Sequence, residues 1–240
     1  MAPSTLILVR HAHSQYQDQD NESPPLPRLT GWHDEPLSPL GWNQLGCLQS
    51  CFSVRSNIKA IYASPLQRAE KTAQAAANQL DVRPRFLGSL REIYCGLLEG
   101  LPLREVHLRF PEMWNRNASQ ADETFRWPGG ESYSQMRARV LRTMRRIAAV
   151  HRGERVLIVT HAGVISQLLG AMYDLSPARW GAFRPTNASI TEVEWNGRNG
   201  VLLRFNDCSH LARLSQHVEP TSGAPTGIRT AHHTQPIPHC

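Results

Sequence analysis

Leu6-Ile7-Leu8-Val9-Arg10-His11 is the stretch that decides how this chain of 240 residues folds. Four apolar side chains in succession, with polar residues on both sides, mark a short strand covered on both faces. A strand with one wet face would alternate instead, so the sheet is parallel in character. The run stops abruptly, and its carboxyl end presents a guanidinium and an imidazole.

Working outward, Gln15 to Arg28 is polar and carries Pro24, Pro25 and Pro27, which predicts a loop over the end of that strand. Ser38-Pro39 predicts a helix start, with Ser as the cap and Pro at the first helical position, and apolar spacing carries the helix to about Val54. Ala60 to Ala63 reads as a second strand, and Ser64-Pro65 repeats the cap-and-proline signal before an alanine-rich helix to about Leu80. Residues 81 to 130 are broken by Gly96, Gly100, Pro102, Pro111, Pro128, Gly129 and Gly130, which predicts long loops with one or two short helices. Glu131 to His151 is amphipathic, with Met136, Val140, Met144 and Ile147 on one side and arginines on the other, and Gly153 ends it. Val156 to Val159 predicts a third buried strand and Gly163 to Met172 a helix after it. Ser189 to Trp195 and Val201 to Phe205 flank Asn-Gly-Arg-Asn-Gly, a hairpin signal. From about Gln216 the chain is Pro, His, Thr and Gly with little to bury, so residues 1–215 read as one domain and 216–240 as a disordered tail. Its His232-His233 pair reads as solvated tail. Strands alternating with helices in this order predict an α/β fold wound from parallel units, with its ligand site beyond the carboxyl ends of the strands.

Composition narrows the partners. The formal net charge is +6, and because Lys59 and Lys71 are the only lysines, nearly all of the positive charge is arginine. Arginine forks grip phosphate and carboxylate. No basic stripe interleaved with aromatics occurs, which argues against nucleic acid, and no apolar run reaches membrane-spanning length. Cys47, Cys51, Cys95, Cys208 and Cys240 form neither a CxxC pair nor a secreted-domain framework. Free thiols and the absence of a signal-like N-terminus predict a cytoplasmic protein, as monomer or homodimer.

Three polar clusters fall at the predicted strand ends: Arg10-His11 after the first, Ser64 to Arg68 after the second, and His161 after the third. Two arginines and two histidines on one rim make an oxyanion site, to which helix N-termini add backbone N–H groups. An uncharged imidazole in such a cradle can attack phosphorus and hold the group as a phosphoramidate, while its neighbours spread the transferring charge. The leaving alkoxide then needs a proton from a nearby carboxyl. Glu92 in Arg91-Glu92-Ile93-Tyr94 is the first choice and Glu99 the second.

These residues carry a resemblance. Leu8-Val9-Arg10-His11-Ala12-His13-Ser14 resembles the signature of the histidine phosphatase (phosphoglycerate mutase-like) superfamily. So, in order, do Thr30-Gly31-Trp32 with Pro36 to Gly41, Tyr62 to Ala69, Arg91-Glu92 with Gly96 to Gly100, and Val159 to Ile165. The likeness runs from about residue 5 to 211. It implies a three-layer sandwich: a mostly parallel central sheet, helices on both faces, and a small cap over the strand C-termini. It implies that His11 is the phosphorylated nucleophile, that Arg10, Arg68 and His161 clamp the phosphoryl oxygens, and that Glu92 donates and later removes a proton. Gln17 stands where the family usually has a phosphate-holding asparagine, Thr30 and Gly31 match its substrate-contacting pair, and Ala162 stands where glycine is frequent. No metal or other cofactor is implied, and the substrate would be a small phosphorylated metabolite.

Trp127-Pro128-Gly129-Gly130-Glu131-Ser132 resembles the phosphatase-type members of that family, so hydrolysis is expected ahead of mutase-type phosphotransfer. Arg104, Arg109, Trp114, Arg116 and Trp127 are the candidates for substrate contacts in the cap. Two rivals stand beside this reading. A metal-dependent hydrolase would use His11-Ala12-His13 as an HxH pair with His161 and Asp207, and a non-catalytic phospho-ligand binder would keep the cradle without turnover.

Overall fold

The structure, a computed structural model, describes residues 2–15, 27–52, 57–212 and 214. Gln17, the loop from 16 to 26, the far end of the helix expected to reach Val54, and the tail from 216 onward lie outside the described residues.

The strands are β1 (Ser4–Arg10), β2 (Ile58–Ala63), β3 (Pro84–Phe86), β4 (Arg155–Thr160), β5 (Ile190–Trp195) and β6 (Gly200–Asp207). They form one six-stranded sheet in the order β3-β2-β4-β1-β5-β6. The first four positions pair in parallel and β5 and β6 pair antiparallel, so the sheet is mostly parallel, as expected. The helices are α1 (Pro39–Gln49), α2 (Gln67–Leu80), α3 (Leu103–Arg109), α4 (Pro111–Ser119), α5 (Tyr133–Val150) and α6 (Ala162–Met172).

Alternation along the buried strands sorts the layers. Leu6 and Leu8 of β1 join Tyr62, Val156 and Ile158 under α5 and α6, packing on Met136, Val140, Met144 and Leu168. Ile7 and Val9 point the other way, joining Ile61, Leu157 and Val159 under α1 and α2. There the small side chains Ala69, Ala73 and Ala76 let the helix lie close to the sheet. Each fully buried Leu, Ile or Val contributes about 1.5–3 kcal/mol by leaving water, which makes the apolar face of every strand register-specific.

The local signals are built largely as read. Ser38 caps α1, its hydroxyl accepting from Gly41 N, with Pro39 at the first position. Ser132 and Gln135 form a reciprocal capping box on α5. One start differs. Helix α2 begins at Gln67, and its first N–H is taken by the Asp34 carboxylate at 2.7 Å rather than by Ser64. β3 was not legible, because three residues carry no periodicity and the strand has two exposed positions. The segment between 81 and 130 holds α3 and α4 between loops, as expected.

Candidate active site

Strand register places the two histidines. Arg10 at the end of β1 pairs with Thr160 at the end of β4, so the next residues, His11 and His161, leave the sheet side by side. Their ring centroids are 5.0 Å apart, tilted by 58°. This is also where the winding reverses: β1 leads through α1 to β2, while β4 leads through α6 to β5 on the other side of β1. Crevices of that kind are where open α/β sheets bind ligands.

His11 is 5% exposed, and its Nδ1 lies 2.8 Å from Ala12 O. A carbonyl only accepts, so Nδ1 carries the hydrogen and Nε2 keeps its lone pair. Burial pushes the His11 pKa well below the ordinary histidine value, and the Arg68 and Arg10 guanidiniums push it further. His161 is shifted the same way, first by burial and then by Arg68 and His11. Both rings are therefore neutral near pH 7. The Nε2 of His161 meets Ser64 Oγ at 2.8 Å.

Arg68, in the first turn of α2, is 1% exposed. Two of its nitrogens donate to loop carbonyls, Nη1 to His33 O at 2.8 Å and Nη2 to Gly31 O at 2.7 Å, and Nε lies 3.9 Å from Glu35 Oε1. Arg10 donates from Nη1 to Pro185 O at 2.9 Å. Burial lowers both arginine pKa values, that of Arg10 to about 10, which leaves each charged at neutral pH. The Nε atoms of Arg10 and Arg68 and Nδ1 of His161 are buried with no hydrogen-bond partner. An unmet buried donor costs about 1–3 kcal/mol. The two guanidinium nitrogens are such donors, and the His161 nitrogen becomes a third when Ser64 donates to Nε2; together they make the donor set of an oxyanion cradle, because a tetrahedral anion would satisfy all three.

Glu92 is buried and held at both oxygens, Oε1 by Ile93 N and Oε2 by Gly163 N in the first turn of α6, each at 2.9 Å. A Cβ on Gly163 would run into that carboxylate, so glycine is what lets the helix end approach. The Glu92 carbonyl is fixed in turn by Trp32 Nε1 at 2.6 Å and Arg139 Nη2 at 3.2 Å. Glu99, the second choice for the acid, is occupied elsewhere. It accepts from Trp32 N at 2.9 Å and Cys95 N at 2.7 Å, and also from His33 N, tying down the loop whose carbonyls hold Arg68. A Cβ on Gly31, which has φ +39°, would strike Glu99, and this fixes glycine at that turn.

A cavity of about 530 Å³ opens over this rim, and Arg10, Thr30, Glu92 and Ala162 line it. His11, Arg68 and His161 do not line it and are buried beside it. Gly31 reaches the site through its carbonyl on Arg68 rather than through the cavity wall.

Some expected contacts are not made. Arg109 pairs with Glu105 and Arg116 with Asp122 in solvent, Trp114 meets His107 at a tilt of 47°, and Trp127 is buried against Phe125. None of these, nor Arg104, lines the cavity. Arg137 and Arg139 are not on an outer face of α5. Arg137 donates to Gln167 and Leu175 O, and Arg139 to Glu131 and the carbonyls of Ser89, Arg91 and Glu92. The HxH rival is short of ligands: Asp207 pairs with Arg204 and lines a different cavity from His13. Among the described residues no three His, Cys, Asp or Glu side chains stand together as a metal site. Among the residues that line the wall without having been expected are Arg28, Leu103, Tyr133, Trp180, Phe183 and Arg184. Their separation along the chain left no shared motif to find.

Comparison with known proteins agrees with this geometry. The profile of the histidine phosphatase superfamily (branch 1) matches residues 6–208. The bifunctional protein Rv2228c of Mycobacterium tuberculosis is 34% identical over 172 residues, which cover 72% of this chain and 45% of that protein. This chain thus spans about half the length of that relative. The metal-independent phosphoserine phosphatase of Arabidopsis thaliana is 28% identical over 211 residues, 87% of this chain and 84% of the relative. Among solved structures, YhfR of Bacillus stearothermophilus superposes with a TM-score of 0.76 at 27% identity, covering 87% of this chain and 99% of its own.

Proposed function

The chain belongs to the histidine phosphatase superfamily, and on that premise we propose that it hydrolyses phosphomonoesters of small metabolites, without a metal, through a phosphohistidine on His11. One observation carries the reading: a neutral imidazole whose Nδ1–H is tied to Ala12 O sits with two buried guanidinium donors and a second imidazole nitrogen that have no hydrogen-bond partner.

The steps follow from the groups in place. Nε2 of His11 attacks phosphorus, the P–O ester bond breaks, and the leaving alkoxide takes a proton from Glu92. Nδ1–H stays on Ala12 O, which supports the positive ring of the phosphohistidine. Arg10, Arg68 and His161 hold the phosphoryl oxygens, where most of the rate enhancement of such transfers resides. Ser64 donating its hydroxyl hydrogen to Nε2 of His161 would leave the hydrogen on Nδ1, the atom without a partner. Glu92 then takes a proton from water, which attacks the phosphohistidine and frees phosphate and His11. Thr30 and Ala162 on the cavity wall would contact the ester, and Gln17 would join them at the phosphate. The metal-independent name of the Arabidopsis relative supports this chemistry.

We place the protein in the cytoplasm. Cys47, Cys51 and Cys208 are free thiols, as suits a reducing compartment, and no described helix is long and apolar enough to cross a membrane.

Assay of a phosphomonoester panel in excess chelator tests the reading. Inorganic phosphate should appear at an undiminished rate. Loss of turnover in chelator would defeat the metal-independent mechanism, and isomerised phosphoglycerate in place of free phosphate would establish mutase-type transfer.

A further inference from the structure

Phosphoryl transfer needs Arg10 and Glu92, yet most of the cavity they share is built for something else. Ile93, Leu103, Tyr133, Met136, Trp180 and Phe183 face it from four separate parts of the chain. Tyr133 and Trp180 are stacked, with centroids 6.2 Å apart and planes 16° apart. Phe183 is steadied from behind by Tyr173 and Phe205, at 5.7 and 5.6 Å. The wall is thus aromatic and largely apolar. Its charges matter equally: Arg28 and Arg184 line the cavity, and Glu92 is the only carboxylate among its described lining residues. A volume of about 530 Å³ lies within the range of sites that enclose ligands far larger than a three-carbon alcohol.

An amino-acid alcohol such as serine suits this wall poorly. Its ammonium would lie among arginines and aromatic rings, with no acid among the described lining residues except the one that must move protons. A small polyol would leave the apolar wall wet. Resting on the hydrolytic reading above, we propose that the preferred substrate is a phosphomonoester whose alcohol carries a flat apolar ring and no cationic group, and that Phe183 is one of the residues that select it.

The test compares esters of primary alcohols, so that leaving-group reactivity does not decide the outcome: ethyl phosphate, O-phosphoserine and 2-phenylethyl phosphate. Burying one phenyl group should raise kcat/KM for 2-phenylethyl phosphate over the other two by on the order of 30-fold. Phe183→Ala should shrink that ratio at least about fivefold, and Phe183→Tyr should keep it. Each ratio is taken within one preparation, so partial loss of folded enzyme cancels. A ratio near one in the wild type overturns the proposal, and a high ratio unmoved by Phe183→Ala overturns the assignment to this wall. Calorimetric binding of the same esters to His11→Ala reads the preference without turnover. A protein that binds 2-phenylethyl phosphate preferentially yet hydrolyses none of the esters would refute the hydrolytic reading and leave the ring preference standing.

Discussion

A guanidinium can stabilise a phosphoryl group or a fold, and in the proposed mechanism Arg68 does both by dividing its five donors. Two of them hold the carbonyls of Gly31 and His33, which sets the plane of the fork, and Nε is left for the anion. Arg68→Lys keeps a charge but gives up that fork. It should therefore lose at least about 100-fold in kcat/KM, the scale for removing a preorganised oxyanion donor. Arg146, exposed on α5, should tolerate Ala within about twofold. Steady-state kinetics on the two variants check this, and equal losses would mean that the rim is misplaced. Arg68 was legible because it follows a strand and opens a helix. Its acidic partner, Glu35, was not, since a lone acid in a loop has no period and no motif.

At the scale of single elements, the start of α6 matters most to the proposed chemistry. It delivers His161 as its cap residue and the Gly163 N–H to Glu92. Alanine favours helix by up to about 1 kcal/mol over glycine, so Gly163→Ala should not weaken α6 itself. It should instead displace Glu92 and reduce kcat by about tenfold or more, with far-ultraviolet circular dichroism unchanged. Full activity in that variant would remove Glu92 from the mechanism. Elements whose signals are local were readable: the Ser38-Pro39 cap, the Ser132 capping box and the Asn-Gly hairpin all sit within a few residues of what they stabilise. The cap of α2 was not, because Asp34 reaches it from 33 positions away. The same distance in sequence hid the segment from Trp180 to Asn187, which reaches the cavity from beyond α6.

For the molecule as a whole, the site has a consequence for stability. His11 and His161 are neutral in the fold with pKa values well below the ordinary one, chiefly through burial, whereas in the unfolded chain they titrate near 6.5. Below that pH the unfolded state binds more protons, so stability is complete above about pH 6.5 and is lost on acidification. Between pH 6.5 and 5.5 the two groups together should remove about 2 kcal/mol. Denaturant unfolding across that window checks the figure, and the loss should be smaller in a His11→Gln, His161→Gln double variant. An identical pH dependence in both proteins would mean that these rings are not held neutral. The parallel winding that buries the rings was foreseeable from three apolar runs, each ending in a polar cluster. The order β3-β2-β4-β1-β5-β6 was not, because adjacency in a sheet is decided by packing between distant strands.

All three scales meet in one atom, Nε2 of His11. Brief reaction with a radiolabelled phosphate ester, a quench that avoids acid, and peptide mapping read it directly. The account predicts label on the peptide carrying His11, formed and discharged at the rate of turnover and absent in His11→Ala. Label on another residue, or normal turnover in His11→Ala, would contradict it.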